Sequence, residues 1–398
     1  MPEHWPFLLA GGIMLFLFFG LGIASRKIRL PAVLLFIVLG IALSGLLNGY
    51  EEALHNVAEI GIVLLFFLLG LEFPLQRMLQ ISKRVWPAGL MDVVLNLGLA
   101  FLIALAFGLN LTVAFLIGAV AYASSSSITI KMLEEKKRLA SPEAEFILAL
   151  LIFEDLVAPI LVSFLAGIYA GVDVTAQNMA LLMVKIVALT AGAIVIGYYG
   201  FRRLGAFVEK YLETDLMPLF AVGIAFAYAG LAVVLGLSEV LGAFLAGVML
   251  SETGRSRELE HLILPVRNLT LPFFFFWFGT TIYIGDGVPM AALLVVLVLW
   301  SILAKMLVGF YGGRLYGLSD RAALRAGMSL GQRGEFSAII AALAPPAIRT
   351  FSGVYILSTA LVGILLFNRA PAWSRWLHQK YFDKRDRSPN TGSNKAAH

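Results

Sequence analysis

Hydrophobic stretches of about 17–25 residues recur along nearly the whole chain, each long enough to cross a hydrocarbon core ~30 Å thick as a helix. They centre near residues 15, 40, 65, 95, 121, 157, 190, 225, 245, 273, 299, 332 and 361, and so predict thirteen membrane spans. The expected fold class is an all-α polytopic membrane protein. The first stretch, residues 6–24, has neither a basic leader nor a clear small-residue cleavage site and reads as a retained helix. The connections alternate in charge. Arg26, Lys27 and Arg29, then Arg77, Lys83 and Arg84, then Lys136, Lys137 and Arg138, mark one side, and Arg202, Arg203, Lys210, Arg255, Arg257, Arg314 and Arg321 continue the pattern. The connections between carry no Lys or Arg apart from Arg349. Basic residues of short loops stay in the cytoplasm, so an external N-terminus and a cytoplasmic C-terminus are expected in a cell membrane. Residues 1–376 form the expected transmembrane domain. Residues 377–398 form a short basic tail, solvated and disordered by composition.

Composition narrows the function classes. The chain is 60% hydrophobic and 14% charged, against roughly 45–50% and 25% in soluble domains. Its net charge of +5 is spread over the basic loops, so it reads as a topology signal and not as a nucleic-acid surface. Cysteine is absent, which excludes disulfides and thiolate chemistry. No phosphate-binding loop of the GxxxxGK[ST] type occurs, so nothing indicates direct ATP drive. No cofactor and no enzymatic activity are implied.

Against that apolar background, Glu154 and Asp155 stand side by side in the middle of the sixth span. A carboxylate at the bilayer centre costs ~2.5–3.5 kcal/mol or more, so it normally faces a water-filled cavity and handles ions or protons. Pro159, four residues after Asp155, removes one helical hydrogen bond there. Two further spans carry polar interruptions at mid-membrane: Ser124, Ser125, Ser126 and Ser127 in the fifth, and Gly331, Gln332, Arg333, Gly334 and Glu335 in the twelfth. Irregular backbone at that depth is tolerated only where protein or a wet cavity satisfies it. The two interruptions lie about 207 residues apart, one in each half of the chain, as expected where inverted repeats cross their broken helices at an ion site. The facing helix ends then need neutralising charge, from an internal acid on one side and from Arg333 on the other.

Each position also has a structural reading. The serines could serve only close packing. Glu335 could pair with Arg333, while Lys185 and Lys305 could snorkel to an interface. Asp92 and Glu59 read as isolated intramembrane acids, and Glu72 as a residue near the interface.

The segments 57–73, 124–127, 151–160, 241–248 and 331–336, in this order, resemble the monovalent cation:proton antiporters of the second family, which includes the Kef potassium efflux systems. The resemblance extends from the first span to about residue 375. It implies thirteen helices in inverted repeats, with two crossed broken helices, a dimerisation scaffold and a mobile core. It places Asp155 on the ion-binding aspartate, which holds the monovalent cation, and Glu154 on a preceding position linked to stoichiometry. Ser125 and Ser126 fall on the unwound part of the first broken helix. Arg333, Glu335 and Lys305 are taken as charges that stabilise the site. Two departures matter. The Kef systems carry a fused cytoplasmic nucleotide-binding domain that has no counterpart here, so a separate cytoplasmic regulatory subunit is a candidate partner. Kef-type sequences also lack the arginine of the 331–336 motif, so their glutathione gating is not carried over.

These readings predict a secondary transporter in which a cation and protons compete at Asp155 under alternating access, with K+ slightly favoured over Na+. Serine hydroxyls and unwound carbonyls supply oxygen ligands to the cation. Adjacent helical residues project about 100° apart, so Glu154 is expected to face packed protein, held by a base such as Lys305 or Arg333, with electroneutral exchange as the outcome. The expected partners are the cation, H+, membrane lipid and a second copy of the chain. The alternative class is a cation channel, or a K+ efflux pathway gated by a separate subunit, although no TVGYG-type filter is present.

Overall fold

The computed structural model describes residues 6–46, 50–72, 75–171, 175–201, 216–285 and 287–381. All regular structure among them is helical. Among the described residues, ten helices are long and apolar enough to cross a membrane. The shorter apolar helices Ala32–Leu43 and Glu239–Ser251 fall on the second and ninth expected spans. The pair Asp320–Gly327 and Glu335–Ala342 falls on the twelfth. The last helix, Pro346–Tyr381, runs beyond the expected boundary at residue 376, and the tail from residue 382 lies outside the described residues. So does the basic connection at Arg202, Arg203 and Lys210.

The helices sort into two bundles by what they pack against. Ala32–Leu43, Glu51–Leu71, Met217–Val234, Glu239–Ser251 and Ser256–Thr280 form one, and Phe7–Ile28 leans on its first member. Lipid tails are as apolar as leucine, so helices in a membrane associate through close approach of small residues. A Cβ on Gly40 would lie 2.1 Å from the Phe276 carbonyl oxygen and 2.8 Å from Gly279 Cα. A Cβ on Gly247 would lie 2.1 Å from the Phe67 carbonyl oxygen and 2.8 Å from Gly70 Cα. No side chain fits at either crossing. Gly40 and Gly247 are 207 residues apart, the same spacing as Ser124 and Gly331, so the two crossings are one contact built twice in an inverted repeat.

The second bundle holds the two broken helices, the long helices Pro142–Tyr169 and Pro346–Tyr381, and the spans Arg84–Ala106 and Ala291–Tyr316. Each of these last two spans widens into a π-type turn, at Val93–Gly98 and Val308–Gly312. Such turns free backbone groups and often mark functional positions. The Trp300 indole donates to the Leu95 carbonyl (2.9 Å) and so satisfies one of them. The paired π turns repeat the two-fold relation of the paired breaks.

Candidate functional site: two crossed breaks and a closed charge cluster

The first broken helix stops at Tyr122, passes through extended residues 123–125 and resumes at Ser126. The second stops at Gly327 and resumes at Glu335. The breaks cross, and each satisfies the other's backbone. Ser125 N–H donates to the Gln332 carbonyl (2.8 Å), and the Ser124 hydroxyl donates to the Leu330 carbonyl (3.0 Å). The Ser337 hydroxyl caps the carbonyl end of the first half-helix at Val120 (2.7 Å) and Ala123 (3.3 Å). Ser125 also caps its own helix through Ile128 N–H. Buried peptide groups must be paired, and the serine and glycine content of both segments serves that need. A Cβ on Gly334 would lie 2.4 Å from the Ser125 hydroxyl, so the crossing needs a glycine there.

Glu154 and Asp155 sit on the unbroken helix beside the crossing and diverge as their 100° offset requires. Glu154 turns into packed protein, accepting the Ser124 N–H on one oxygen and the Lys305 ammonium (2.9 Å) on the other. Lys305 also donates to both oxygens of Asp92 (2.8 and 2.9 Å). Asn96 donates to Asp92 (2.8 Å) and accepts from the Arg333 guanidinium (2.9 Å). Arg333 also reaches the Ser124 hydroxyl (3.4 Å). All six of these side chains, Ser124 included, are fully buried. Two acids and two bases therefore cancel in one closed network.

Several expectations change here. Lys305 does not snorkel, because two carboxylates hold its ammonium inside the bundle. Asp92 is not isolated, since the span that carries Lys305 packs against its own. Arg333 and Glu335 do not form the considered ion pair. The chain turns from extended Gly334 into a helix between them, leaving Arg333 in the buried network and Glu335 on the other side with the Ser125 (2.7 Å) and Ser127 (3.0 Å) hydroxyls. Ser125, expected beside Ser126 as a cation ligand, gives its hydroxyl to Glu335 and is fully buried. Lys185 donates to the Leu235 carbonyl (2.9 Å), closing the end of a neighbouring helix.

Asp155 takes the open direction. The Ser126 hydroxyl lies 2.9 and 2.8 Å from its two oxygens, and both residues line a cavity of about 990 Å³ between the two bundles. Glu335, Ser127, Glu72 and Arg267 also line it. At its mouth Arg84, Glu145 and Tyr316 form a polar group, with Arg84–Glu145 at 3.2 Å and the Tyr316 hydroxyl 2.8 Å from Glu145. The cavity thus opens beside the basic connections. Sequence reasoning missed Asn96 and Arg267. Asn96 is invisible to a charge count, and Arg267 lies between Pro265 and Pro272 in a span that still reads as apolar overall.

The chain matches the family model "Sodium/hydrogen exchanger, transmembrane" over residues 13–368. It is 52% identical over 380 residues to the ammonium/H(+) antiporter subunit AmhT of Alkalihalophilus pseudofirmus, covering 96% of each chain. It is 29% identical to the K(+)/H(+) antiporter subunit KhtU of Bacillus subtilis, covering 90% of this chain and 92% of that one. In three dimensions it is similar to the sodium proton antiporter MjNhaP1 of Methanocaldococcus jannaschii at pH 8, with a TM-score of 0.69 at 18% identity, over 92% of this chain and 97% of that one. That likeness fixes the architecture of the inverted repeats and their crossed breaks. With the family model spanning most of its length, the chain belongs to the sodium/hydrogen exchanger family, whose members are monovalent cation:proton antiporters.

Proposed function

We propose that the protein exchanges ammonium or potassium for protons, one for one, with Asp155 as the sole obligatory carrier. The observation that carries this is the division of the two neighbouring acids. Glu154 is bonded to Lys305 in a buried network of zero net charge, whereas Asp155 faces the cavity with only a serine hydroxyl. A cation and a proton exclude each other at one carboxylate because each takes up the same oxygen lone pairs. The Ser126 hydroxyl and the Asp155 carboxylate are hard oxygen ligands of the kind a monovalent cation needs when it sheds water. Pro159 lacks the N–H that would otherwise bind the Asp155 main-chain carbonyl, which leaves a third oxygen at the same level. Glu335 adds negative charge, held by the Ser125 and Ser127 hydroxyls and by no base at ion-pair distance among the described residues.

Ammonium and potassium are named together because they are of similar size and equal charge. Ammonium is what the relative at 52% identity is named for, and potassium what the relative at 29% is named for. Both are named as subunits, which favours a separate regulatory partner. The basic loops put the cavity mouth in the cytoplasm, so the conformation is the inward-open one and the second bundle is the body that rocks. A second copy of the chain would pair through the first bundle.

The test is proton flux in proteoliposomes of the full chain, on addition of NH4+, K+, Na+ or Li+, with protein-free vesicles of the same lipid subtracting passive movement of NH3. Cation-dependent flux that is absent with Asp155→Asn and unaltered by an imposed membrane potential is the expected result. Flux that persists in Asp155→Asn, or single-channel currents, would overturn the reading.

A further inference from the structure

An antiporter is useful only if its empty carrier cannot cross. One residue outside the site described above is placed to enforce that. Arg267 belongs to Ser256–Thr280 of the first bundle, whereas Asp155 and Glu335 belong to the second. All three line the same cavity. Arg267 lies eleven residues into its helix and Asp155 thirteen into its own, and both helices start on the side of the basic connections. At 1.5 Å per residue that is ~16 and ~20 Å of depth, so the two groups stand at nearly the same level. An arginine at such depth is a functional candidate by default.

Its surroundings are acidic. Glu335, Glu72 at the C-cap of the neighbouring helix Glu51–Leu71, and Glu260 on its own helix line the same cavity as Arg267. Yet no carboxylate among the described residues holds it at ion-pair distance, and its buried Nε has no hydrogen-bond partner among them. The fully buried bases beside the site, Lys305 and Arg333, are bonded into the closed network, whereas Arg267 is half-buried at the cavity wall. Arg267 is therefore an unspent positive charge on one body, turned toward the uncompensated acids of the other.

We propose that Arg267 is a coupling guard, which holds the second bundle in the open state while Asp155 is empty and releases it when Asp155 carries a cation or a proton. The inference rests on the antiport reading above. With Glu154 and Asp92 cancelled by Lys305 and Arg333, the moving body presents two negative charges to the cavity when Asp155 is empty and one when it is loaded. The attraction to Arg267 is thus greatest for the empty body. Removing the guanidinium leaves the loaded transitions intact and makes the empty transition faster. The consequence is uncoupling: a proton enters on one side, leaves on the other, and the empty body returns without a cation.

The test compares wild type, Arg267→Gln and Arg267→Lys in proteoliposomes that are acid inside, in a medium whose only cation is N-methylglucamine, with thiocyanate as the permeant anion that clamps the potential. Wild type should keep its pH gradient. Arg267→Gln should dissipate it at least about tenfold faster, a change equivalent to one decade in rate, and Arg267→Lys should restore most of the tightness. The double variant Asp155→Asn/Arg267→Gln should be tight again, because it has no titrating carrier. Arg267→Met, with a stem of similar reach, replaces Arg267→Gln if the latter does not fold. A neutral variant that exchanges cations at the wild-type rate and holds its gradient as well as wild type overturns the guard. So does a leak that survives in the double variant. Absence of exchange in wild type would instead strike the antiport reading itself.

Discussion

Lys305→Met tests how much of this fold depends on the closed network. The lysine makes three short bonds to Asp92 and Glu154, and none of the three side chains has any exposed surface. Methionine keeps the volume and removes the charge. Two carboxylates then remain without exposed surface, with Arg333 reaching them only through Asn96 and Ser124. Removing one partner of a buried ion pair costs about 3–5 kcal/mol, and here one lysine serves two acids, so the upper end applies. A stability of ~5–15 kcal/mol is typical, which makes the loss a large fraction of the whole. The expected result is a sharp fall in folded yield and in melting temperature in detergent, measured by fluorescence-detected size exclusion after heating. Lys305→Met/Glu154→Met should recover part of the loss, since only Asp92 is then left to Asn96 and the Arg333 charge. If Lys305→Met melts with wild type, the network is not what holds the second bundle together. If the double variant is worse than the single, Glu154 draws its stability from the Ser124 N–H and not from Lys305.

Three further outcomes are expected. Ser126→Ala removes the hydroxyl that bonds Asp155, and hydrogen bonds to charged groups contribute ~1.5–3 kcal/mol, so the apparent cation affinity should weaken about 10- to 100-fold without loss of folding; an unchanged half-saturating concentration in the vesicle assay would remove Ser126 from the site. Gly247→Ala forces a Cβ to within 2.1 Å of the Phe67 carbonyl and should abolish assembly, whereas Gly223→Ala, with nothing within 4 Å, should be silent; equal melting temperatures would show that the crossing relaxes freely. Deleting residues 384–398 should leave basal exchange intact, because every residue of the site lies upstream, and loss of flux from a correctly inserted truncation would show that the tail takes part in the cycle.

The sequence made the helices legible because a membrane reduces the problem to length and apolarity, and every expected span has a helical counterpart. The breaks were legible for a related reason: four serines and two glycines at bilayer depth have no use in a lipid-facing helix. What stayed hidden was pairing. Asp92 and Lys305 are 213 positions apart in sequence, and nothing in either local context says that the second inverted repeat brings them together. Arg138 looked like a solvated topology marker, yet it is buried against Glu143 (3.0 Å), which Arg325 also reaches (2.8 Å). Loop charges and network charges have the same composition and differ only in what the fold sets opposite them. The 100° offset of Glu154 and Asp155 could be read from the chain, and with it the expectation that a base such as Lys305 or Arg333 holds Glu154; what could not be read was which base does so and that Asp92 shares it. The repeat supplies that answer from the far half of the chain, by placing a base on the span that mirrors the one carrying Asp92. Duplication therefore does more here than build two crossed breaks. It gives one half an acid and the other a base at corresponding spans, so one acid of the Glu154–Asp155 pair is neutralised within the fold and the other is left open to the cavity.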